Sequence, residues 1–250
     1  MKKNIFTLFI LAFLVACESE KQPLEFTNYA IERHFKDCNP DLESCTFIDL
    51  NYPVANKKRE EAKIINREIA NHIIKIIDYR EDATVENLEQ LADRFITNYE
   101  NTSADFPDSE TPWEASVYGE VQYFGEELIS IKFTSELFTG GAHGYGSESF
   151  LNFNPENGEL YKNKELFTSG FKDFVEKEFR KEKEIPVSDP INSTGLFFED
   201  EQFHLPYNIG FSEGKVILHY NAYEIASYAE GAFRMEFSQE EVAQFLRIEL

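Results

Sequence analysis

From Thr46 to Tyr52 apolar and polar residues alternate, with Ile48, Leu50 and Tyr52 on one face and Pro53 closing the run, so the pattern predicts a strand. The period then changes. Ala62, Ile65, Ile69, Ile73 and Ile76 recur at helical spacing, which predicts an amphipathic helix over 59–78 with His72 beside its apolar stripe as a boundary residue. A second helix is predicted from Thr84 as N-cap, with Val85, Leu88, Ala92, Phe95 and Tyr99 inward. The Ser-, Thr-, Asp- and Pro-rich segment from Asn101 to Pro112 should end it. From Trp113 the period returns to two: Val117, Gly119, Val121 and Tyr123, a turn at Gly125, then Ile129, Ile131 and Phe133 read as an antiparallel hairpin. A third strand, 147–154, follows a Gly-rich turn. A helix over 170–183 turns Phe171, Phe174, Val175 and Phe179 inward, and a loop broken by Pro186, Pro190 and Pro206 follows. Strands at 215–220 and 232–237 lead to a capping box, Ser238 with Glu241, opening a short last helix. Helices segregated from antiparallel hairpins predict an α+β fold.

The N-terminus has a different pattern. Lys2 and Lys3 precede an apolar run from Ile5 to Val15, too short to span a bilayer, which ends at Leu14-Val15-Ala16-Cys17. This reads as a lipoprotein signal peptide over 1–16, with Cys17 acylated as the mature N-terminus and 17–28 a polar tether, folding beginning near Tyr29. Acyl chains contribute about 0.8 kcal/mol per buried methylene, so the expectation is an envelope protein anchored in a bacterial membrane, facing periplasm or exterior.

Composition narrows the partners. The formal net charge is −22, and loss of residues 1–16 removes Lys2 and Lys3 but no acid. So acidic a chain repels phosphates, which argues against nucleic acid, and its field would favour a basic partner. Of three cysteines, Cys38 and Cys45 remain once Cys17 carries lipid, an even pair in an exported chain, which predicts one disulfide. A metal at that pair would need further ligands, and only His34 lies close.

Candidate chemistry is sparse. Gly140, Gly141 and Gly144 surround His143, which could serve as a base or anion ligand, or cap backbone groups of a turn whose glycines take positive φ. Tyr223, Glu224 and Tyr228 mix aromatics with carboxylates between two strands, a composition suited to docking a basic protein or to plugging the end of a sheet. Trp113, the sole tryptophan, sits at a strand start, which gives stacked-aromatic glycan binding little support. No nucleophile elbow, HExxH, paired-Asp or HxxxH motif occurs, so no catalytic residue, metal ligand or cofactor is assigned.

The run SIKFTSELFTGGAHGYGSESFLNFN at 130–154, INREI at 65–69 and YEIASYAEG at 223–231 resemble the extracellular family shared by RsiV-type anti-sigma factors and PdaC-type deacetylases, in which this region lies outside the catalytic domain. The resemblance covers roughly 46–250. It implies a two-part α+β domain, 29–112 and 113–250, and a non-catalytic role in binding lysozyme-like basic proteins or peptidoglycan. The alternatives are an accessory cell-wall hydrolase or deacetylase using His143, and a structural envelope lipoprotein. A lipid anchor stands where the anti-sigma members have a transmembrane helix and a sigma-binding segment, so anti-sigma activity is not carried over.

Overall fold

A strand precedes the expected start of folding. In the computed structural model β1 covers Phe26–His34 and pairs antiparallel with β2, Phe47–Ala55. The structure describes residues 24–36, 38–40, 44–56, 58–78, 85–106 and 111–250; the leader, Cys17 and Thr84 lie outside them. The tether expected to reach residue 28 therefore gives way to sheet by Phe26. β1 escapes an alternation search because it is an edge strand with Thr27 to Ala30 all exposed and Ile31 its only fully buried residue.

β2 continues two residues past Pro53, contrary to the expected stop. The amide of Phe47 donates to the Trp113 carbonyl at 3.0 Å, so odd-numbered β2 amides face β3, Glu114–Phe124. That parallel ladder ends at Asn51, before the missing donor of Pro53 matters. Beyond it, Gly119 makes room for the proline, since a β-carbon there would lie 3.0 Å from Pro53 Cδ.

The β2–β3 crossover carries α1, Glu60–Ile77, and α2, Leu88–Asp105. Their buried stripes, Ala62, Ile65, Ile69, Ile73 and Ile77 on α1 and Leu88, Leu91, Ala92, Phe95 and Tyr99 on α2, cover one face of the sheet. Ile77, rather than Ile76, completes the α1 stripe. The N-cap of α2 is Asn87, whose side chain accepts from Gln90 N at 3.0 Å. α2 also runs on through Asn101 to Asp105, because polar residues on its outer face do not interrupt the backbone ladder and Phe106 N still reaches Thr102 O at 2.9 Å.

β4, Ile129–Phe138, and β5, Tyr145–Phe153, complete a five-stranded sheet in the order β1-β2-β3-β4-β5. The division expected near Trp113 thus falls between hydrogen-bonded neighbours of one sheet. A short α3, Asn163–Leu166, leads to α4, Gly170–Glu182, whose Phe171, Val175 and Phe179 join a second apolar cluster. That cluster lies against a three-stranded sheet of β6, Asn208–Ser212, β7, Lys215–Tyr220, and β8, Phe233–Ser238. α5, Gln239–Val242, opens on the expected capping box, with Ser238 N donating to Glu241 Oε2 at 2.8 Å. The fold is α+β.

β6 was not expected from its sequence; it holds a glycine and follows the Pro-broken loop. Its place is set by β4 and β5: Asn152 Nδ2 of β5 donates to Ile209 O at 2.7 Å, Phe211 N donates to Ser130 Oγ of β4 at 3.1 Å, and the Phe150 ring of β5 lies where a side chain at Gly210 would be. Cys38 and Cys45 form a disulfide that closes the loop between β1 and β2.

Two outcomes follow. Gly210→Ala should destabilise the protein by about 1–3 kcal/mol, because a β-carbon 2.0 Å from Phe150 Cδ1 forces the two sheets apart; urea unfolding measures this. His72, wedged between Ser149 Oγ at 2.7 Å and the Phe133 ring, has its pKa lowered to about 4 by burial, with Lys75 adding to the effect. Its folded pKa lies below the unfolded value near 6.5, so the unfolded chain binds more protons between the two. Stability should fall as pH drops from about 6.5 to about 4 and then level off, by on the order of 3 kcal/mol for this group. His72→Gln should flatten that part of the stability–pH curve.

Candidate functional site

The turn between β4 and β5 and the loop between β7 and β8 are far apart in sequence and meet at one edge of the molecule. Gly140 and Gly141 take φ of 94° and 97°, a conformation costly for residues bearing a β-carbon, and so let the chain reverse. His143 follows, with Nδ1 2.9 Å from Gly144 O, a distance at which the protonated nitrogen donates. Its ring stacks on Tyr228, centroids 4.1 Å apart and planes at 17°. The Tyr228 hydroxyl donates to the same Gly144 carbonyl at 3.3 Å. Tyr223 lies 5.4 Å from Tyr228 between centroids, and the Tyr145 hydroxyl donates to Ala222 O at 3.4 Å.

Tyr223 adopts φ of 70°, a backbone region that disfavours a bulky side chain by roughly 1–2 kcal/mol. The turn around it is closed from both sides: Glu224 N donates to Asn221 O at 3.0 Å, and Asn221 N donates to Glu224 Oε2 at 3.0 Å. Glu224 Oε1 accepts from Tyr207 N at 2.9 Å. Burial raises the Glu224 pKa, and those backbone donors oppose the shift. Glu224, read from sequence as a docking carboxylate, is thus engaged in holding its own loop. What the loop presents is Tyr223, 53% exposed, and Tyr228, 40% exposed, beside Tyr145 at 39%.

Next to these rings runs an open groove of about 480 Å³ lined by Glu136, Gly144, Gly146, Ala222, Tyr228, Gly231 and Ala232. Beneath it Asn221 clamps β5, accepting from Glu148 N and donating to Glu148 O, both at 2.9 Å. The Glu148 carboxylate bridges Lys132 at 2.8 Å and Arg234 at 2.7 Å. His219 Nδ1 lies 3.8 Å from that carboxylate, and burial lowers the His219 pKa against the pull of Glu148. This cluster ties β4 and β5 to β7 and β8.

Of the remaining histidines His34 and His72 stay apart from the site, whereas His204 lies close enough to Glu224 to oppose the rise in its pKa. His34 Nδ1 is 3.2 Å from Cys38 O, and His204 Nδ1 is 2.9 Å from Leu205 O. Among the described residues no group of three or more His, Cys, Asp or Glu side chains is placed to hold a metal ion, and no helix is long and apolar enough to cross a membrane. Of the residues singled out from sequence, His143, Tyr223 and Tyr228 converge. Tyr145 and Glu136 were missed, although Tyr145 follows His143 by two positions in the same motif.

Residues 41–145 match the family described as Deacetylase PdaC, and residues 162–240 match the protein family of unknown function DUF3298. A DUF3298 family protein from Pseudomonas aeruginosa PAO1 has a similar solved structure, with a TM-score of 0.61 and 19% identity, covering 90% of this chain and 95% of that one. A DUF3298 family member from Bacteroides fragilis NCTC 9343 gives a TM-score of 0.65 at 17% identity, covering 90% and 94%. No curated protein matches the chain. Together the two family matches point to a cell-envelope-associated domain of unknown function. Along consecutive segments, the chain matches the PdaC-like/DUF3298 domain family.

Proposed function

We propose that this chain is a lipid-anchored, non-catalytic binding domain of the bacterial cell envelope that docks a basic protein of the lysozyme type. The observation that carries the reading is the aromatic surface of Tyr145, His143, Tyr228 and Tyr223. Tyr223 is held there in a backbone conformation unfavourable to tyrosine. Strain of that kind is retained where the side chain's position matters. Glu136 lines the adjoining groove and Glu230 shares the short helical turn of Tyr228, so the rings are bordered by acid. Tyrosine supplies contact area at low entropic cost, and a chain of net charge −22 attracts a cation from a distance. The anchor rests on Cys17 at the end of the apolar leader.

Tyr228→Ala and Tyr223→Ala should each weaken capture of a basic lysozyme by about tenfold in calorimetry, and added salt should weaken it further through screening. Melting of the variants separates lost contact from lost fold. Absence of lysozyme binding by the wild type, or binding of solubilised peptidoglycan in its place, would overturn the assignment of the partner. Cys17→Ala should abolish labelling by a clickable fatty acid; equal labelling of the variant would remove the anchor from the proposal.

A further inference from the structure

A second concave site lies on the other side of the Gly140 turn, where the C-terminal end of α1, the face of α2 and the strand start at Trp113 enclose about 330 Å³. Its inner wall is apolar, made by the buried side chains of Ile77, Leu91 and Phe95. Trp113 forms one side and packs edge-on against Phe95 and Tyr99, with centroids 5.9 and 5.8 Å apart. A β-carbon on Gly140 would lie 3.9 Å from the indole Nε1, so the Gly-rich turn borders this cavity as well as the tyrosine surface.

The polar part is a stripe along α2. Arg94 and Asn98 stand one turn apart, and the exposed Thr139 lies across from them. Arg94 directs Nη2 to Asp78 at 2.5 Å, which fixes the guanidinium plane. Among the described residues, Arg94 Nε and Nη1, the Asn98 side-chain amide and Trp113 Nε1 make no hydrogen bond, although all belong to the lining. Such a stripe on a helix is ordinarily a solvated face. Here it is opposed by an indole and backed by aliphatic and phenyl side chains, so apolar surface and uncommitted donors share one small volume.

We propose that this cavity binds one ring of a sugar, in contrast to the expectation drawn from Trp113's place at a strand start, because the fold sets the indole against a concave surface. A pyranose presents an apolar C–H face that packs on an aromatic side chain and a rim of hydroxyls that both donate and accept. The indole N–H and guanidinium supply donors, and the Asn98 amide supplies both donor and acceptor. Asp78 offsets the charge of Arg94 and the chain is strongly acidic, which disfavours an anionic ligand. The volume sits at the low end of the roughly 300–1,000 Å³ of small-molecule sites and accommodates one ring. The site uses none of the tyrosine surface and stands independently of the proposed docking function.

Trp113 is the only tryptophan, so its indole N–H gives a single nitrogen–proton resonance that reports on this cavity alone. Titration of the full mature chain with N-acetylglucosamine and with glucose should move that resonance in a saturable manner for at least one of them. Asn98→Ala should weaken that binding about tenfold, the equivalent of one hydrogen bond, with melting unchanged because its amide has no hydrogen-bond partner among the described residues. Tyr228→Ala should leave the titration as in wild type. Asn101→Ala, at the exposed rim, serves as a second variant should Asn98→Ala lose stability. The proposal is overturned if neither sugar gives a saturable shift up to tens of millimolar, if glycerol moves the resonance equally, or if both folded α2 variants bind sugar like wild type.

Discussion

The contact between β5 and β6 is the constraint on which the rest of the molecule depends. Phe150 projects from the five-stranded sheet into space that any side chain at position 210 would fill, so β6 can lie against β5 only as a glycine-bearing strand. Side chains replace a backbone ladder around this seam: Asn152 of β5 reaches Ile209 O, Ser130 of the neighbouring β4 accepts from Phe211, and Asn221, just after β7, holds both backbone groups of Glu148 in β5. With β5 and β6 locked, β7 and β8 follow through their own ladders, and the loop between them reaches the β4–β5 turn.

That chain of dependence explains why the exposed tyrosines sit where they do. Asn221 is at once the clamp on Glu148 and the first residue of the turn that sets Tyr223 in left-handed backbone. Glu224 closes the turn and is partly desolvated, at a cost reflected in its raised pKa and offset by two backbone amides. The Gly144 carbonyl accepts from both the His143 ring and the Tyr228 hydroxyl, so one carbonyl orients the stacked pair. The rings of His143, Tyr145 and Tyr228 are therefore positioned by hydrogen bonds to main-chain carbonyls, and Tyr223 by the turn that carries it, which leaves their outer faces for a ligand.

The two concavities differ in chemistry in a way that follows from their neighbours. The groove by Tyr228 is lined by glycines, alanines and a carboxylate and is open, as suits an extended protein surface. The cavity by Trp113 has aliphatic and aromatic walls with guanidinium and amide groups at its edge, as suits a small polar ring. The Gly140-Gly141 turn separates them, and its two positive-φ residues bring the chain from one to the other within a few positions.

By itself the sequence determined the local elements whose periodicity has a single reading: the α1 and α2 stripes, the β3–β4 hairpin, the α4 face, the capping box at Ser238 and the pairing of Cys38 with Cys45. It also singled out His143, Tyr223 and Tyr228. Each of these is signalled by residues close in the chain, through the helical or strand period, a cap or a motif. Only the tertiary structure decided the rest. β1 lacks alternation because an edge strand buries little, and β6 is hidden by a glycine whose reason is a phenylalanine sixty residues earlier. Pro53 could stay inside β2 only because the neighbouring ladder ends at Asn51, a fact of register that composition does not carry. The stacking of His143 on Tyr228, the engagement of Glu224 by its own backbone and the cavity beside Trp113 all arise from long-range contacts, whose free energy is gained only when distant segments have already been brought together.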